Sequence, residues 1–358
     1  MTMRQDFLDQ TGLTGDVMEY ASPARSQVDS MMYTGDDPWH RLGTRLDNPA
    51  TAAEAISAAG LEWEVTMEPV YLLSGAQDEL VDTQVRETGR FATVRQDTGE
   101  VFGVGFSERY TPLQNKDAFA FFDAVVGAGE AIYHTAGSLK RGRIVWVLAK
   151  LPGDLGLEGD AVEKYIMLSN THDGSQAVDM RFCVRRVVCM NTLKMALRDE
   201  QTNVRLRHTG DILSRVNSTR DLMGLGDAYF ANLMRSMERL AAKQLTPIQS
   251  NRYFSRVMGL DVKRPVSAQS TRRQNIVNQI VALYNGEGRG AGLATAKGTA
   301  WGAFNAVQEY AEHHRSVKGA ARMSEYDVLD ARETASFYGS GQHLEQRAWD
   351  GALSLVRG

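Results

Sequence analysis

The stretch LSNTHDGSQAVDMRFCVRRVVCMNTL, residues 168–193, gathers more residues able to do chemistry than any other part of the chain. His172 and Asp173 are adjacent there, and an HD pair can bind a divalent metal when further His and Asp ligands complete the site. The other histidines (His40, His134, His208, His313, His314 and His343) have no ligand spacing, although folding could bring His134 or His208 close. Asp173 also precedes Gly174, and Asp-Gly is the pair a tight hairpin turn selects for backbone reasons alone. The turn is the expected reading, with His172 and Asp173 as the metal alternative.

The same stretch opens a basic segment. Residues 181–220 hold nine Lys or Arg (Arg181, Arg185, Arg186, Lys194, Arg198, Arg205, Arg207, Arg215 and Arg220) against Asp199, Glu200 and Asp211, in a chain whose net charge is -4. Clusters of this kind bind phosphate backbones, whatever the sign of the remainder. In a strand, Arg181, Cys183 and Arg185 share one face, and Phe182, Val184 and Arg186 the other. Tyr133 and Trp146 are nearby aromatics of the kind that stack on unpaired bases. The rival reading places the aromatics in the core and the arginines in salt bridges.

A nucleophile is harder to find. Ser138 lacks a G-x-S-x-G elbow, and no G-x-x-x-x-G-K-[ST] loop is present. The run GEGRGAG at 286–292 has the glycines of a phosphate loop without a strand before it, and reads as a joint between helices. His313 and His314, with Glu309 and Glu312, read as a solvated helix face. Cys183 and Cys189 are too far apart for a C-x-x-C site and read as core thiols. No cofactor motif emerges.

The elements that must position these residues follow from periodicity. A period of two runs from 88 to 188 and predicts three hairpins, turning at Asp97-Thr98-Gly99, at Lys140-Arg141-Gly142 and near Asp173-Gly174. Asn115 starts a helix between the first two. Upstream, Asn48 to Gly60 reads as a short helix, and EWEVTMEPVYLL as a strand in which Pro69 marks an edge. CMNTLKMALR reads as a helix, and the pattern stays helical to the end, with segments near 210–245, 246–258, 270–285, 295–315 and 326–355. The expected fold is α+β: an antiparallel sheet of about six strands built from hairpins with an inserted helix, then a helical C-terminal region. Expected boundaries are a flexible arm over 1–35, a sheet domain over 36–205 and a helical region over 206–358. At 43% hydrophobic and 23% charged, with two cysteines and no long apolar run, the chain reads as cytoplasmic with no membrane partner.

Several collinear motifs carry a resemblance: PWHRLGTRL (38–46), YTPLQNKDAFAFFD (110–123), TAGSLKRGRIVWVLAKL (135–151), LSNTHDGSQAV (168–178), RRVVCMNTL (185–193) and WGAFNAVQEYAEHH (301–314). Together they resemble the phage/plasmid-like protein family, a bacterial family of unknown function found on phages, prophages and conjugative plasmids. The order of elements is also similar to that of single-strand annealing proteins of the RecT/Red-beta class, which implies single-stranded DNA as partner and assembly into rings or filaments. On these grounds the chain is expected to bind or anneal single-stranded DNA in recombination or replication in a bacterial host cell, as a homo-oligomer without a cofactor. Arg181, Arg185, Arg186, Lys194, Arg198, Lys140 and Arg141 would contact phosphates, and Tyr133 or Trp146 would stack on bases. The alternatives are a metal-dependent nuclease or phosphohydrolase using His172 and Asp173, and a non-enzymatic anti-defence or interaction protein.

Overall fold

The computed structural model describes residues 31–34, 44–47, 50–74, 84–120, 131–186, 192–193, 203–218, 226–260, 270–324, 327–328, 331–332, 335 and 339–357. The fold is α+β, as expected. Eight strands form the main sheet: β1 (Met31–Thr34), β2 (Thr44–Leu46), β6 (Ile132–Leu139), β7 (Ile144–Leu157), β8 (Asp160–Thr171), β9 (Val178–Arg186), β10 (Thr192–Leu193) and β11 (Asn203–Leu206). Their order is β10-β9-β8-β7-β6-β1-β2, with β11 also on β9; every pairing is antiparallel except β1 with β2. A second, three-stranded antiparallel sheet consists of β3 (Val65–Ser74), β4 (Gln84–Arg95) and β5 (Val101–Phe106).

The three predicted hairpins form as β4–β5, β6–β7 and β8–β9. A fourth joins β7 to β8 through Glu158 and Gly159. Pro69 lies in β3, an edge strand, where sheets tolerate a proline. Four expectations need correcting. The strands belong to two sheets, not one. Residues 31–34, assigned to the arm, form a buried strand between β2 and β6; the rest of the arm lies outside the described residues. Thr192 and Leu193, read as helix, pair with β9. So does β11, where only helices were expected. A four-residue strand carries too few residues to reveal its period, and pairing with a neighbour decides its conformation.

The helices are α1 (Ala52–Ala58), α2 (Ile212–Ser218), α3 (Gly226–Ala242), α4 (Pro247–Val257), α5 (Thr271–Ala282), α6 (Ala300–Glu309) and α7 (Ser340–Val356), with one more over residues 115–120. Capping boxes start α1 (Thr51 with Glu54) and α4 (Thr246 with Gln249), each satisfying two otherwise unpaired donors. A kinked turn over Leu283–Glu287, with Gly286 at φ 141, follows α5, and a π-helical turn (Tyr310–His314) follows α6. Among the described residues, no helix is long and apolar enough to cross a membrane.

One core joins sheet and helices. Val145, Val147 and Ala149 of β7, Val162, Ile166 and Leu168 of β8, and Met180, Phe182 and Val184 of β9 face it from alternate positions. Helices α3, α6 and α7 meet them with Tyr229, Phe230, Leu233, Trp301, Phe304 and Trp349. The opposite face of the sheet is buried too, with Ile144, Trp146, Leu148, Tyr165, Met167 and Cys183 in a second cluster. All nine residues of β9 are buried. That burial on both faces decides what its arginines can do.

Candidate functional site

A guanidinium taken out of water must be paired, because an isolated buried charge costs far more than a paired one. Each arginine of β9 meets this requirement inside the protein. Arg181 donates from Nε and Nη2 to the two carboxylate oxygens of Asp179, both at 2.6 Å, while Arg205 Nε reaches the same group at 3.0 Å. Arg185 lies 3.7 Å from Glu163, which accepts from Lys150 Nζ at 2.7 Å and from the Tyr165 hydroxyl at 2.6 Å. On the helix-facing side, Arg186 Nε bonds both oxygens of Asp160 at 2.8 and 2.9 Å. Asp160 also accepts from Trp301 Nε1 at 3.0 Å and Thr295 Oγ1 at 3.1 Å. The facial assignment from parity holds, with Arg181 and Arg185 opposite Arg186. The solvent-facing phosphate groove does not: Arg181, Arg185 and Arg186 are at most 9% exposed and engage carboxylates of their own chain. Lys194 and Arg198 lie outside the described residues.

These networks shift their members as burial and charge require. Burial raises the Glu163 carboxyl, but the hydrogen bonds from Lys150 and Tyr165 and the Arg185 charge outweigh it and leave its pKa below the ordinary value. Tyr165 is pushed up, first by burial. His134, packed edge-on against Tyr165 at 5.0 Å, is pushed down to about 4 by burial and by the charge of Arg185.

The expected base-stacking aromatics are core residues. Tyr133 is fully buried, donates its hydroxyl to the Phe119 carbonyl at 2.8 Å and packs against the Phe119 ring at 5.7 Å. Trp146 belongs to the second apolar cluster. Neither ring has a face open to a base.

His172 and Asp173 diverge. The His172 ring is fully buried against Trp63 and Phe102, its Nε2 is 3.0 Å from Asn115 Oδ1, and burial pushes its pKa down to about 3. Asp173 turns outward and accepts from the Ser175 N–H at 2.9 Å, closing the turn, with Gly174 at φ 71. A Cβ on Gly174 would meet the Phe106 ring at 2.4 Å, so glycine is required for space as well as conformation. His134 is on the other strand pair, against Tyr165, whereas His208 stacks on Tyr110 at 5.1 Å. The pair is a turn and a core histidine rather than two ligands. Among the described residues, no three His, Cys, Asp or Glu come together as a metal site.

Lys140 and Arg141 are different. Both are exposed at the β6–β7 turn, and both adopt left-handed backbone, with φ 52 and 59. Gly142 follows at φ 89, packed so that a Cβ would lie 3.0 Å from Trp63. Such φ values suit Asn and Gly, and cost a lysine or arginine roughly 1–2 kcal/mol each.

The structure also reveals a polar recess that sequence reasoning missed. The segment 286–292 does join helices, but its backbone folds over α6 so that Arg186, Tyr284, Gly288, Arg289, Asn305 and Glu309 line a small recess. Glu309, read as part of a solvated helix face, is 4% exposed and accepts the Arg289 N–H at 3.0 and 3.2 Å. The available signal was the run AWGAFNAV before it, small or apolar at every position but Asn305, which implies a helix buried all round. Comparison with curated proteins and with solved structures finds no match. The family model for a domain of unknown function (DUF932) does match, over residues 104–349, from the end of the small sheet through most of α7, and the chain therefore belongs to that family.

Proposed function

We propose that the protein binds single-stranded DNA as a non-catalytic binding or annealing factor in phage or plasmid DNA metabolism, with its phosphate contacts at the turn end of the large sheet. The observation that carries this reading is the pair Lys140–Arg141: two adjacent, exposed cations held in backbone that neither prefers. Two adjacent cations in left-handed backbone, a conformation that costs each of them energy, support a use for their charge. Arg207 is exposed where β11 leaves the sheet at this same end, since Leu206 pairs with Val178, the first residue of β9. Exposed Arg109 adjoins Tyr110, whose hydroxyl contacts the Thr171 carbonyl at the end of β8. Cations round the rim of a sheet suit a backbone-tracking, sequence-independent contact. The preference for single strands and the homo-oligomeric ring or filament rest on the likeness in element order to annealing proteins.

Fluorescence anisotropy with labelled single-stranded and duplex oligonucleotides, each with and without EDTA, tests the proposal. The expected result is EDTA-insensitive binding to the single strand that weakens steeply with salt. No binding at low salt would overturn it, and metal-dependent cleavage of the probe would favour the nuclease reading instead.

A further inference from the structure

The helical region carries cations that its own acids do not neutralise. Helices α4 and α5 pack against each other and hold Arg252, Arg256, Arg272 and Arg273, with no Asp or Glu in either helix. All four arginines are exposed. Unlike the arginines of β9, Arg252, Arg256 and Arg272 make no ion pair among the described residues. Helix α7 also packs on α4 and adds the exposed Arg347. The acids of α7 are Glu345, which is 1% exposed, and Asp350, which accepts from Gln346.

Guanidinium groups from different helices come together at the end of α4. Arg273 Nη1 donates to the Gly259 carbonyl at 2.8 Å and Arg347 Nε to the Val257 carbonyl at 3.4 Å, beside the last turn of α4, which holds Arg256. These bonds give Arg273 and Arg347 a structural role, satisfying carbonyls that a helix end leaves unpaired. Arg252, Arg256 and Arg272 have no such role. Arg252 and Arg256 are four residues apart on one face of α4, a spacing at which like charges repel. Arg272 lies with Arg273 in the first turn of α5, which has no acidic residue, and there the helix dipole disfavours a cation. The placement of these charges opposes helix stability, so their use lies outside the helices. Between them the exposed positions are polar: Asn251, Asn275, Asn278 and Gln279. Ile248, at the start of α4, is the one large apolar side chain exposed on these helices, too little for insertion into a lipid interface.

We infer that the exposed face of α4 and α5 is a second nucleic-acid contact, at which Arg252, Arg256 and Arg272 bind backbone phosphates. Unpaired guanidinium groups are the donors that phosphate oxygens fit best, and amide side chains between them add hydrogen bonds without reading bases. The identity of the partner as nucleic acid rests on the function proposed above, whereas the surplus of unpaired cation does not. This contact is on the helical region and is separate from the turn of Lys140 and Arg141.

The test compares the full chain with two triple variants, one carrying Arg252→Gln, Arg256→Gln and Arg272→Gln and the other carrying Lys at the same positions. Arg273 and Arg347 stay in place because they hold the end of α4. Anisotropy is measured over a salt series with a labelled oligothymidine and with a labelled duplex. The Gln variant should keep its Tm, flatten the single-strand slope of log K against log salt by about 2, and lose roughly a hundredfold in affinity at about 0.1 M salt. The Lys variant keeps the charge and should keep the slope. If the Gln variant fails to fold, Arg272→Gln alone should flatten the slope by about 0.7. An unchanged slope in the folded Gln variant, with a flattened slope in the Lys140→Asn/Arg141→Gly variant, would overturn this inference and leave the proposed function standing. Wild-type binding to the duplex alone, weakened in the Gln variant, would support this face and refute the single-strand reading. Equal losses in the Gln and Lys variants would overturn the inference. So would binding to anionic phospholipid vesicles but to neither nucleic acid, or to none of the three.

Discussion

Replacing Lys140 by Asn and Arg141 by Gly separates function from stability because the two should move in opposite directions. Each wild-type residue holds left-handed backbone, at φ 52 and 59. Relief of that strain amounts to roughly 1–2 kcal/mol per residue. Glycine gives back about 0.5–1 kcal/mol through the entropy of the unfolded chain, and the two effects together leave a gain of about 1–3.5 kcal/mol. For a chain of 358 residues, with an unfolding entropy of about 2 cal/mol/K per residue, that corresponds to a Tm rise of about 1–5 °C. Turn geometry is preserved, since Asn and Gly both tolerate left-handed backbone.

The same exchange removes two cations from the proposed phosphate contact. For a single strand, each neutralised phosphate contributes about -0.7 to the slope of log K against log salt, so the slope should become shallower by about 1.4. Anisotropy titrations over a salt series, with Tm measured on the same preparation, give both numbers. A well-folded variant with unchanged affinity and slope would refute the role of this turn in binding. A lowered Tm would refute the strain argument instead.

Other expectations follow from the buried networks. Arg186→Ala leaves the buried Asp160 carboxylate without the guanidinium, with Trp301 and Thr295 still donating to it, and should destabilise by about 3–5 kcal/mol in urea unfolding. Trp301→Ala should cost a similar roughly 3–5 kcal/mol, since Trp301 is 2% exposed and donates to the same carboxylate; a loss below about 1 kcal/mol would contradict its place in the core. Asp173→Asn should leave stability and DNA binding nearly unchanged, because an amide oxygen can accept the Ser175 N–H equally well. His172, His208 and His134 have folded pKa values pushed down to about 3, 4 and 4, each first by burial. Protons therefore bind the unfolded chain more tightly, so the stability these groups give is complete above pH about 6.5 and is lost as pH falls towards 3–4, by about 1.4 kcal/mol per pH unit for each group. Denaturation curves at pH 7 and 5 that coincide would sink that reading.

Much of the fold was legible because hairpins announce themselves locally. Asp97-Thr98-Gly99, Lys140-Arg141-Gly142 and Asp173-Gly174 each interrupt a period of two, and all three turns form. The amphipathic helices were legible for the same reason: α3 spaces Tyr229, Phe230, Leu233, Met237 and Leu240 along one face. What escaped was decided by contacts distant in sequence. Met31–Thr34 is a strand because β6 lies ready to pair with it, a hundred residues later. The division into two sheets is equally invisible to periodicity, which reports how often a side chain changes face and not which neighbour its backbone bonds.

The β9 arginines were misjudged for a related reason. Parity placed Arg181 and Arg185 opposite Arg186, and that is how they lie. Parity does not tell whether a face meets water. A basic strand face is a phosphate groove only if the acids that could neutralise it are elsewhere, and here they are cross-strand or next but one in the chain. Glu163 is directly opposite Arg185 in the β8–β9 register, and Arg186 faces Val162, two residues from Asp160. Asp179 is two residues from Arg181 on the same strand, and therefore on the same face. Counting charge over residues 181–220 omitted Asp160, Glu163 and Asp179, all of which precede the window. Once the hairpin pairs β8 with β9, the excess on β9 is cancelled one arginine at a time. The exposed cations Lys140 and Arg141 lie instead at the β6–β7 turn. It follows that charge in a β protein should be summed over paired strands, because the register determines which charges remain for solvent or ligand.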